Sequence, residues 1–352
     1  MLFEQHADLL AGKQVRNCRN VLKGRLAMEG SLPVTLCNRL MRVIRQFSLM
    51  LGAFTLLSAC RPAPPTKETT LREIHTINYD LIIPAKQDLS RSSGNTLLIL
   101  FPCFNCDAAD TQEESAIPEA AAANGIAVLM MNYNRHLLMS GAEQEQVISM
   151  IAGAVKEHGV DASNTFIGGF SSGGNVGVLI AKALLKSTDA PVQVKGVFAV
   201  DSPLDLSHLY QASKHRLEHP SFPAQKGEAR MVVALLDSTL GDPATNGPAY
   251  EAASPLMDTE TSIAPLVDLP VRFYTEPDTT WWRQNRGDSY EDMNAFALKR
   301  LHGALLAAGN LNAEYITTEG RGFQHGRRHP HAWSIVDEQE LVRWINKLSK
   351  EH

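Results

Sequence analysis

The chain has 352 residues, of which 44 % are hydrophobic and 20 % charged, and a formal net charge of −5. This composition suits a globular domain with a sizeable core, and the acidic balance gives no basic footprint of the kind that nucleic-acid-binding proteins carry. We therefore expect no nucleic-acid partner.

The first predicted element is an export signal at residues 41–59. Arg42 and Arg45 precede an apolar run, Phe47 to Leu57, which has the length of a signal-peptide core and is short for a membrane span. The run ends in Leu57-Ser58-Ala59-Cys60, which resembles the bacterial lipobox, whose cysteine is lipidated after cleavage on its N-terminal side. The resemblance implies a lipid anchor at Cys60 that holds the protein to a membrane of a bacterial cell envelope. The alternative is a buried apolar helix that ends in a cysteine.

The residues on either side of this signal are interpreted in its light. Residues 60–68 are rich in proline and predict a tether between the lipid and a domain that covers residues 69–352. Because signal peptides act at the N-terminus, residues 1–40 are interpreted as an over-extended reading frame, with translation starting at Met41. A native precursor that begins at Met1 would refute this interpretation.

From residue 69 onward, short apolar runs alternate with amphipathic stretches, as in an α/β protein with a mostly parallel sheet and helices on both faces. Strands are predicted at Thr76–Ile83, Thr96–Phe101, Ile126–Met131, Thr165–Phe170, Val194–Val200, Val271–Tyr274 and Ala313–Thr317. Helices are predicted at Glu113–Asn124, Glu143–His158, Gly174–Lys186, Met293–Ala308 and Ser334–Leu348. Residues 205–268 interrupt the alternation with prolines and turns and one helical stretch near Glu228–Thr239, which we interpret as a cap-like insertion over a site or as decoration.

Cys103 and Cys106 form a Cys-x-x-Cys pair after the second predicted strand. A local disulfide or two free thiols is favoured over a redox pair or half of a zinc site, since no second Cys-x-x-Cys pair completes four ligands.

The chemistry-bearing motif is GGFSSGGN at residues 168–175, which contains Gly-x-Ser-x-Gly with Ser171 at its centre. By itself the motif is weak, but a buried strand precedes it and a helix follows, which is the context that a nucleophile elbow requires. Glycines allow a sharp bend, and the helix dipole favours negative charge that develops beside the serine. We interpret Ser171 as a nucleophile.

At this motif the chain resembles the α/β-hydrolase superfamily, over roughly residues 70–350. The resemblance rests on the strand succession, on the elbow GFSSGG and on Ser254-Pro255-Leu256 before the strand at 271, and within the superfamily it is greatest to secreted and dienelactone-hydrolase-like esterases. It implies an α/β-hydrolase fold and a triad in the chain order serine, acid, histidine.

Three histidines follow the last predicted strand: His325, His329 and His331. The superfamily places its base in the loop before the final helix, and His331-Ala332-Trp333 resembles the His-x-Trp of several esterases. The resemblance therefore implies His331 as the base, with His325 as the alternative. A metal site on the three histidines is the less favoured interpretation, since no acidic ligand is interleaved and the serine elbow would go unexplained.

The resemblance places the acid just past the strand at 271, where Asp278 matches the aspartate of the superfamily's Gly-x-x-Asp, although Thr275 replaces the glycine. Glu276 is the nearest rival. Asp201, at the end of Val194–Val200, is another, because some members take the acid from that strand; Asp288 is a more distant candidate.

Backbone N–H groups are expected to form the oxyanion hole. One is that of Ser172, directly after the nucleophile, and the other comes from the loop after Thr96–Phe101. Pro102 has no N–H, so Cys103 or Phe104 is the donor, in a loop that lacks the superfamily's His-Gly.

Together these residues predict a serine hydrolase that cleaves small carboxylic esters through Ser171, His331 and Asp278 with an acyl-enzyme. Neither a metal nor an organic cofactor is expected. Trp281 and Trp282 either wall the pocket or form an ordinary packed pair. The alternative functions are a binding lipoprotein that keeps the fold without catalysis, and a peptidase or amidase on the same fold.

Overall fold

A computed structural model of the protein describes residues 71–84, 96–218 and 223–350. Within them one sheet is formed by β1 (Leu71–His75), β2 (Tyr79–Pro84), β3 (Thr96–Phe101), β4 (Ala127–Met131), β5 (Asn164–Phe170), β6 (Val194–Val200), β7 (Val271–Thr275) and β8 (Ala313–Thr317). The spatial order is β1-β2-β4-β3-β5-β6-β7-β8. The β1–β2 and β2–β4 pairs are antiparallel, and the pairs from β4 to β8 are parallel.

Helices cover both faces of this sheet. They are α1 (Ala108–Glu114), α2 (Ile117–Ala123), α3 (Gly141–His158), α4 (Ser172–Lys186), α5 (Leu206–Glu218), α6 (Pro223–Thr239), α7 (Gly247–Ala253), α8 (Glu260–Ile263), α9 (Thr279–Asn285), α10 (Asn294–Ala307) and α11 (Glu338–Leu348). Short 3₁₀ turns lie at Ala264–Leu266, Tyr290–Asp292 and Trp333–Ile335. The predicted α/β class with a mostly parallel sheet is confirmed.

The core has two layers because the side chains of a strand alternate between the two faces of the sheet. Along β3, Ile99 belongs to the apolar cluster that includes residues of α3, α4 and α10, whereas Leu98 belongs to the cluster that includes residues of α2 and α11. All six residues of β3 are buried, so the strand is apolar without interruption, as is typical of a sheet covered on both faces.

The register brings three strand ends to one edge of the sheet. Phe101 at the end of β3 pairs with Gly169 of β5, and Phe170 pairs with Val200 at the end of β6. The loops after β3, β5 and β6 therefore start side by side, at Pro102, Ser171 and Asp201.

Two features of the central body differ from the predicted elements. The helix predicted at Glu113–Asn124 is two helices, because Pro118 lies in the first turn of α2 and Ser115 between the helices is extended; proline is tolerated in a first turn and not in a helix interior. The edge strand β1 was not predicted, since four of its five residues are exposed and no buried alternation marks it.

The insertion predicted at residues 205–268 is mostly helical and contributes most of a small apolar cluster. Tyr210 of α5, Leu236 of α6 and Tyr250 of α7 pack together in this cluster. Leu137, which follows β4, belongs to the same cluster, so these apolar contacts attach the insertion to the domain.

The predicted signal peptide, the tether, the lipidation residue Cys60 and the interpretation of residues 1–40 all lie outside the described residues. In the part of the chain that the structure describes, no helix has both the length and the apolar character to cross a membrane.

Candidate active site

Ser171 lies at the bend where β5 turns into α4. Its φ of 55° and ψ of −126° belong to a conformation that residues with a side chain seldom adopt. The bend is fixed on both sides, since the Ser171 N–H donates to the carbonyl of Val200 at 2.9 Å and the Ser171 carbonyl accepts from the Gly174 N–H at 3.0 Å. The strand–turn–helix context that the motif predicted is present.

The glycines of the motif are needed where backbones meet. A Cβ on Gly173 would lie 2.3 Å from the carbonyl oxygens of Phe101 and Pro102, and one on Gly169 would lie 2.2 Å from the backbone of Gly173. Any side chain here would push α4 away from the end of β3. The glycines therefore bring the loop after β3 close to the serine.

Asp201 follows β6 directly and is held from several sides. It is 4 % exposed and has a φ of 44°. Its Oδ1 accepts from the Thr275 hydroxyl at 2.8 Å, its N–H donates to the Tyr274 carbonyl at 2.8 Å, and its carbonyl accepts from the Asn294 amide at 2.7 Å. The remaining oxygen, Oδ2, faces a histidine.

That histidine is His331, whose Nδ1 lies 2.6 Å from Asp201 Oδ2. A carboxylate can only accept, so Nδ1 carries the proton of this hydrogen bond, and Nε2 of the neutral ring is a proton acceptor. The ring packs on Phe170 at 4.6 Å between centroids, and Phe170 packs in turn on Trp333. Ser171 and His331 line the same cavity.

Asp278, the acid that the resemblance implies, is not brought to His331. Its carboxylate caps α9 by accepting from the Trp281 N–H at 2.9 Å, and it pairs with the guanidinium of Arg328 at 2.8 Å. The physical reason is that the chain leaves β7 and turns at once into α9, so this aspartate becomes a helix N-cap. The structure instead pairs His331 with Asp201, the alternative from the end of β6. Aspartate is one of the preferred N-cap residues, so the position of Asp278 directly before Thr-Thr-Trp-Trp could have predicted this capping role from the sequence.

Glu276, the nearest rival, is 2 % exposed and serves as an anchor. Its Oε2 accepts from the Thr318 hydroxyl at 3.0 Å and from the N–H groups of Arg321 and Gly322 at 2.9 Å each, while its Oε1 pairs with Arg328. This carboxylate therefore ties down the start of the segment that leads to His331.

Asp288, the most distant candidate, forms a two-bond pair with Arg216 of α5, at 3.0 and 3.1 Å. Both residues line the cavity. Burial raises the pKa of the Asp288 carboxyl, and the guanidinium opposes that rise.

His325, the alternative base, lies at the tip of a hairpin formed by β9 (Phe323–Gln324) and β10 (Arg327–Arg328). Its side chain is 70 % exposed, and Nδ1 is 2.5 Å from Glu114 Oε1 on α1. His325 and His331 thus have different acidic partners. No three His, Cys, Asp or Glu side chains among residues 71–84, 96–218 and 223–350 come together as metal ligands.

The loop after β3 and the first residue of α4 both border the cavity that Ser171 lines. The first N–H groups of a helix have no partner within the helix, so that of Ser172 is available. Ser172 and Phe104 line the cavity together with Ser171. Cys103 forms a disulfide with Cys106 and packs against the core, so of the two predicted donors Phe104 is the one whose residue borders the cavity.

The cavity has a volume of about 430 Å³ and lies between this edge of the sheet and the helices of the insertion. Its apolar wall includes Leu137, Leu209 of α5 and Val232 of α6, and the side chains of Arg286 and Trp282 also line it. Trp282 therefore borders the cavity, as one interpretation of the tryptophan pair predicted.

Two solved structures of similar fold can be compared with this chain over most of its length. Carboxyl esterase 2 from the mycorrhizal fungus Tuber melanosporum aligns with a TM-score of 0.50 at 15 % identity, covering 89 % of this chain and 97 % of that one. A truncated carbohydrate esterase from gut microbiota aligns with a TM-score of 0.50 at 16 % identity, covering 82 % and 100 %. No family model and no curated protein matches the chain.

The chain has the α/β-hydrolase fold. In this fold, Ser171 occupies the turn after β5, Asp201 the turn after β6 and His331 the loop before α11. At such low identities the likeness extends to the fold, and the chemistry depends on the residues of the site.

Proposed function

We propose that the protein is a carboxylic-ester hydrolase that acts through Ser171, His331 and Asp201. The observation that carries the proposal is the 2.6 Å hydrogen bond between His331 Nδ1 and Asp201 Oδ2, in a cavity that His331 shares with a serine on a strained strand-to-helix turn. The esterases of similar fold support the same reaction class.

In the first half-reaction Ser171 Oγ attacks the ester carbonyl and His331 Nε2 takes the hydroxyl proton. Asp201 stabilises the imidazolium that results, because its carboxylate is buried and already aligned with Nδ1. The tetrahedral oxyanion accepts from the backbone N–H groups of Ser172 and Phe104. The imidazolium then protonates the departing alkoxide, and the acyl group remains on the serine.

In the second half-reaction a water molecule gives a proton to His331 Nε2 and attacks the acyl carbonyl. Collapse of this intermediate releases the carboxylic acid and returns the proton to Ser171. The chemistry uses side chains and backbone alone, and its intermediate is an acyl-serine.

Covalent labelling tests the nucleophile. We expect a fluorophosphonate probe to label the wild-type protein and Ser149→Ala, an exposed serine on α3, but not Ser171→Ala. Hydrolysis of short p-nitrophenyl esters should follow the same pattern. Retained labelling of Ser171→Ala would show that Ser171 is not the nucleophile. A wild-type protein that is neither labelled nor active on any ester would favour the binding-protein alternative. Turnover of amides in preference to esters would favour the peptidase alternative.

We further propose that the enzyme works at a membrane surface of the cell envelope, held by a lipid on Cys60. The support is the signal, lipobox and proline-rich tether in the sequence. In a bacterial host, an alkyne-labelled fatty acid should be incorporated into the wild-type protein but not into Cys60→Ser. Equal incorporation into both would contradict the anchor.

A further inference from the structure

His329 has a defined hydrogen-bonding state although it is not a member of the triad. Its Nδ1 lies 2.8 Å from the backbone carbonyl oxygen of His331, and its Nε2 lies 3.2 Å from the Nη2 of Arg286. A carbonyl can only accept and a guanidinium can only donate. The proton of the ring is therefore on Nδ1, and Nε2 accepts from the arginine.

The surroundings keep this ring in place and neutral. Trp281 contacts it edge-on at 4.9 Å between centroids and Trp282 at 6.4 Å. Burial, with smaller contributions from the neighbouring His331 and Arg286, lowers the pKa of His329 to about 4, although the hydrogen bond to the His331 carbonyl and the charge of Asp201 act in the opposite direction. The single neutral tautomer required by the hydrogen bonds is thus the form present near neutral pH.

We propose that His329 is a positioning residue for the base: its N–H holds the carbonyl of His331 and so fixes the backbone from which the catalytic imidazole projects. The inference rests on the proposed role of His331. His329 acts through the peptide of His331, and Arg286 selects the tautomer that can do so. The imidazole of His331 is then held from two directions, by Asp201 on the ring and by His329 on the main chain.

The arrangement also links the base to the insertion. Arg286 contacts Glu228 of α6 at 3.4 Å through its other Nη atom, and both residues line the cavity. A contact chain therefore runs from the insertion through Arg286 and His329 to the main chain of His331.

The test compares two substitutions of His329 in the full chain. His329→Leu keeps an apolar body against Trp281 and removes the donor, whereas His329→Asn keeps an N–H donor at a similar distance from the main chain. His302→Ala is the matched control, because His302 Nε2 also bonds a backbone carbonyl, that of Ala313 at 3.1 Å, but away from the cavity.

We expect His329→Leu to lower kcat for p-nitrophenyl ester hydrolysis by about 10- to 100-fold, the loss typical of a misplaced catalytic group. KM should stay within about twofold, and His329→Asn should recover most of the loss. His302→Ala should keep the wild-type kcat. Circular dichroism verifies that each variant folds, and His329→Ala replaces His329→Leu if the latter does not.

Several outcomes would overturn the inference. If wild type and His329→Leu have equal kcat, the imidazole does not position the base, and the proposed esterase function stands without it. If His329→Asn is as impaired as His329→Leu, the donated hydrogen bond is not what matters. If the wild-type protein is neither labelled by fluorophosphonate nor active, the proposed function is wrong, and the positioning role of His329 is then wrong as well.

Discussion

At the scale of single residues, two aspartates at neighbouring strand ends have different surroundings. Asp201 is almost completely buried, and its two carboxylate oxygens contact Thr275 and His331. Asp278 is one-third exposed in its side chain, and its oxygens contact a helix N-terminus and Arg328. A carboxylate that must stabilise an imidazolium needs the first environment, because a buried charge pair is weakly screened by water.

We therefore predict that Asp201→Asn lowers kcat by about 10³- to 10⁴-fold, since an amide can donate to Nδ1 and so favour the wrong tautomer of His331. Asp278→Asn should keep kcat within a few-fold, because its role is to cap α9. Steady-state hydrolysis of a p-nitrophenyl ester by the two purified variants measures both effects. A large loss of kcat in Asp278→Asn together with normal activity in Asp201→Asn would instead identify Asp278, after β7, as the acid that orients His331.

At the scale of elements, the turn from β5 into α4 depends on how closely α4 approaches the loop after β3. The space at Gly173 is closed by the carbonyl oxygens of Phe101 and Pro102, whereas nothing lies within 4 Å of a Cβ at Gly153 in α3. These two glycines have opposite expected responses to the same substitution.

Gly173→Ala should destabilise the fold by about 1–3 kcal/mol or more, because the methyl group has to displace backbone. It should also lower kcat at least tenfold, since the displacement moves Ser171 relative to Phe104. Gly153→Ala should stabilise the protein by about 0.5–1 kcal/mol, because alanine loses less backbone entropy in a helix. Denaturant unfolding followed by circular dichroism gives both free energies, and a neutral Gly173→Ala would mean that the close approach is not needed.

At the scale of the whole molecule, Lys182 connects α4, the helix that follows the turn at Ser171, to the segment that closes the insertion. Its Nζ donates to the Pro255 carbonyl at 3.0 Å. Burial lowers the pKa of this ammonium to about 8, with a smaller effect from Lys186. In an unfolded chain a lysine keeps its proton up to about pH 10.4. Between these two pH values the unfolded state binds more protons than the folded state, so this group makes the protein more stable as the pH rises from about 8 to 10.

The prediction is a pH-dependent difference in Tm between wild type and Lys182→Met. Across pH 8 to 10 the wild-type Tm should rise relative to that of the variant, in which no buried ammonium remains to be neutralised. Below pH 7 the difference should be constant, because the lysine is charged in both states. Lys299→Met, at an exposed position on α10, is the control and should follow the wild-type curve. Parallel curves for wild type and Lys182→Met would show that the lysine does not carry the effect.

Features of this molecule that depend on neighbouring residues could be predicted from the sequence, whereas contacts between distant parts of the chain could not. The strands and the turn at Ser171 are local features, because each is predicted from the residues that form it: an uninterrupted apolar run for a buried strand, and a cluster of glycines for a tight turn. The partner of His331 is not local, because it depends on which strand end comes within reach of a loop more than fifty residues further along the chain. Asp201 and Asp278 both follow buried strands, and only the paths of the chain after β6 and β7 separate them.

The segment that contains His329 and His331 also depends on a contact with a distant part of the chain. His331 could be identified by its place before the final helix. The hydrogen bond from His329 to its carbonyl, however, depends on Arg286, which directly follows α9, a helix that the apolar pattern did not predict. Helix α9 has no buried residue, so it lacks the periodic apolar face by which helices are found in sequences.

The carboxylate of Glu276 has a consequence for hydrogen exchange. The amides of Arg321 and Gly322 lie outside the strands, where rapid exchange with solvent is the usual expectation. Both donate to one buried oxygen of Glu276, so a peptide covering residues 318–323 should exchange deuterium as slowly as a strand of the sheet. In Glu276→Gln the same peptide should exchange faster while those of β5 and β6 keep their rates. Mass spectrometry would then show that the segment leading to His331 opens as rarely as the core of the sheet. If the exchange of this peptide is the same in Glu276→Gln as in wild type, contacts other than those of Glu276 protect it.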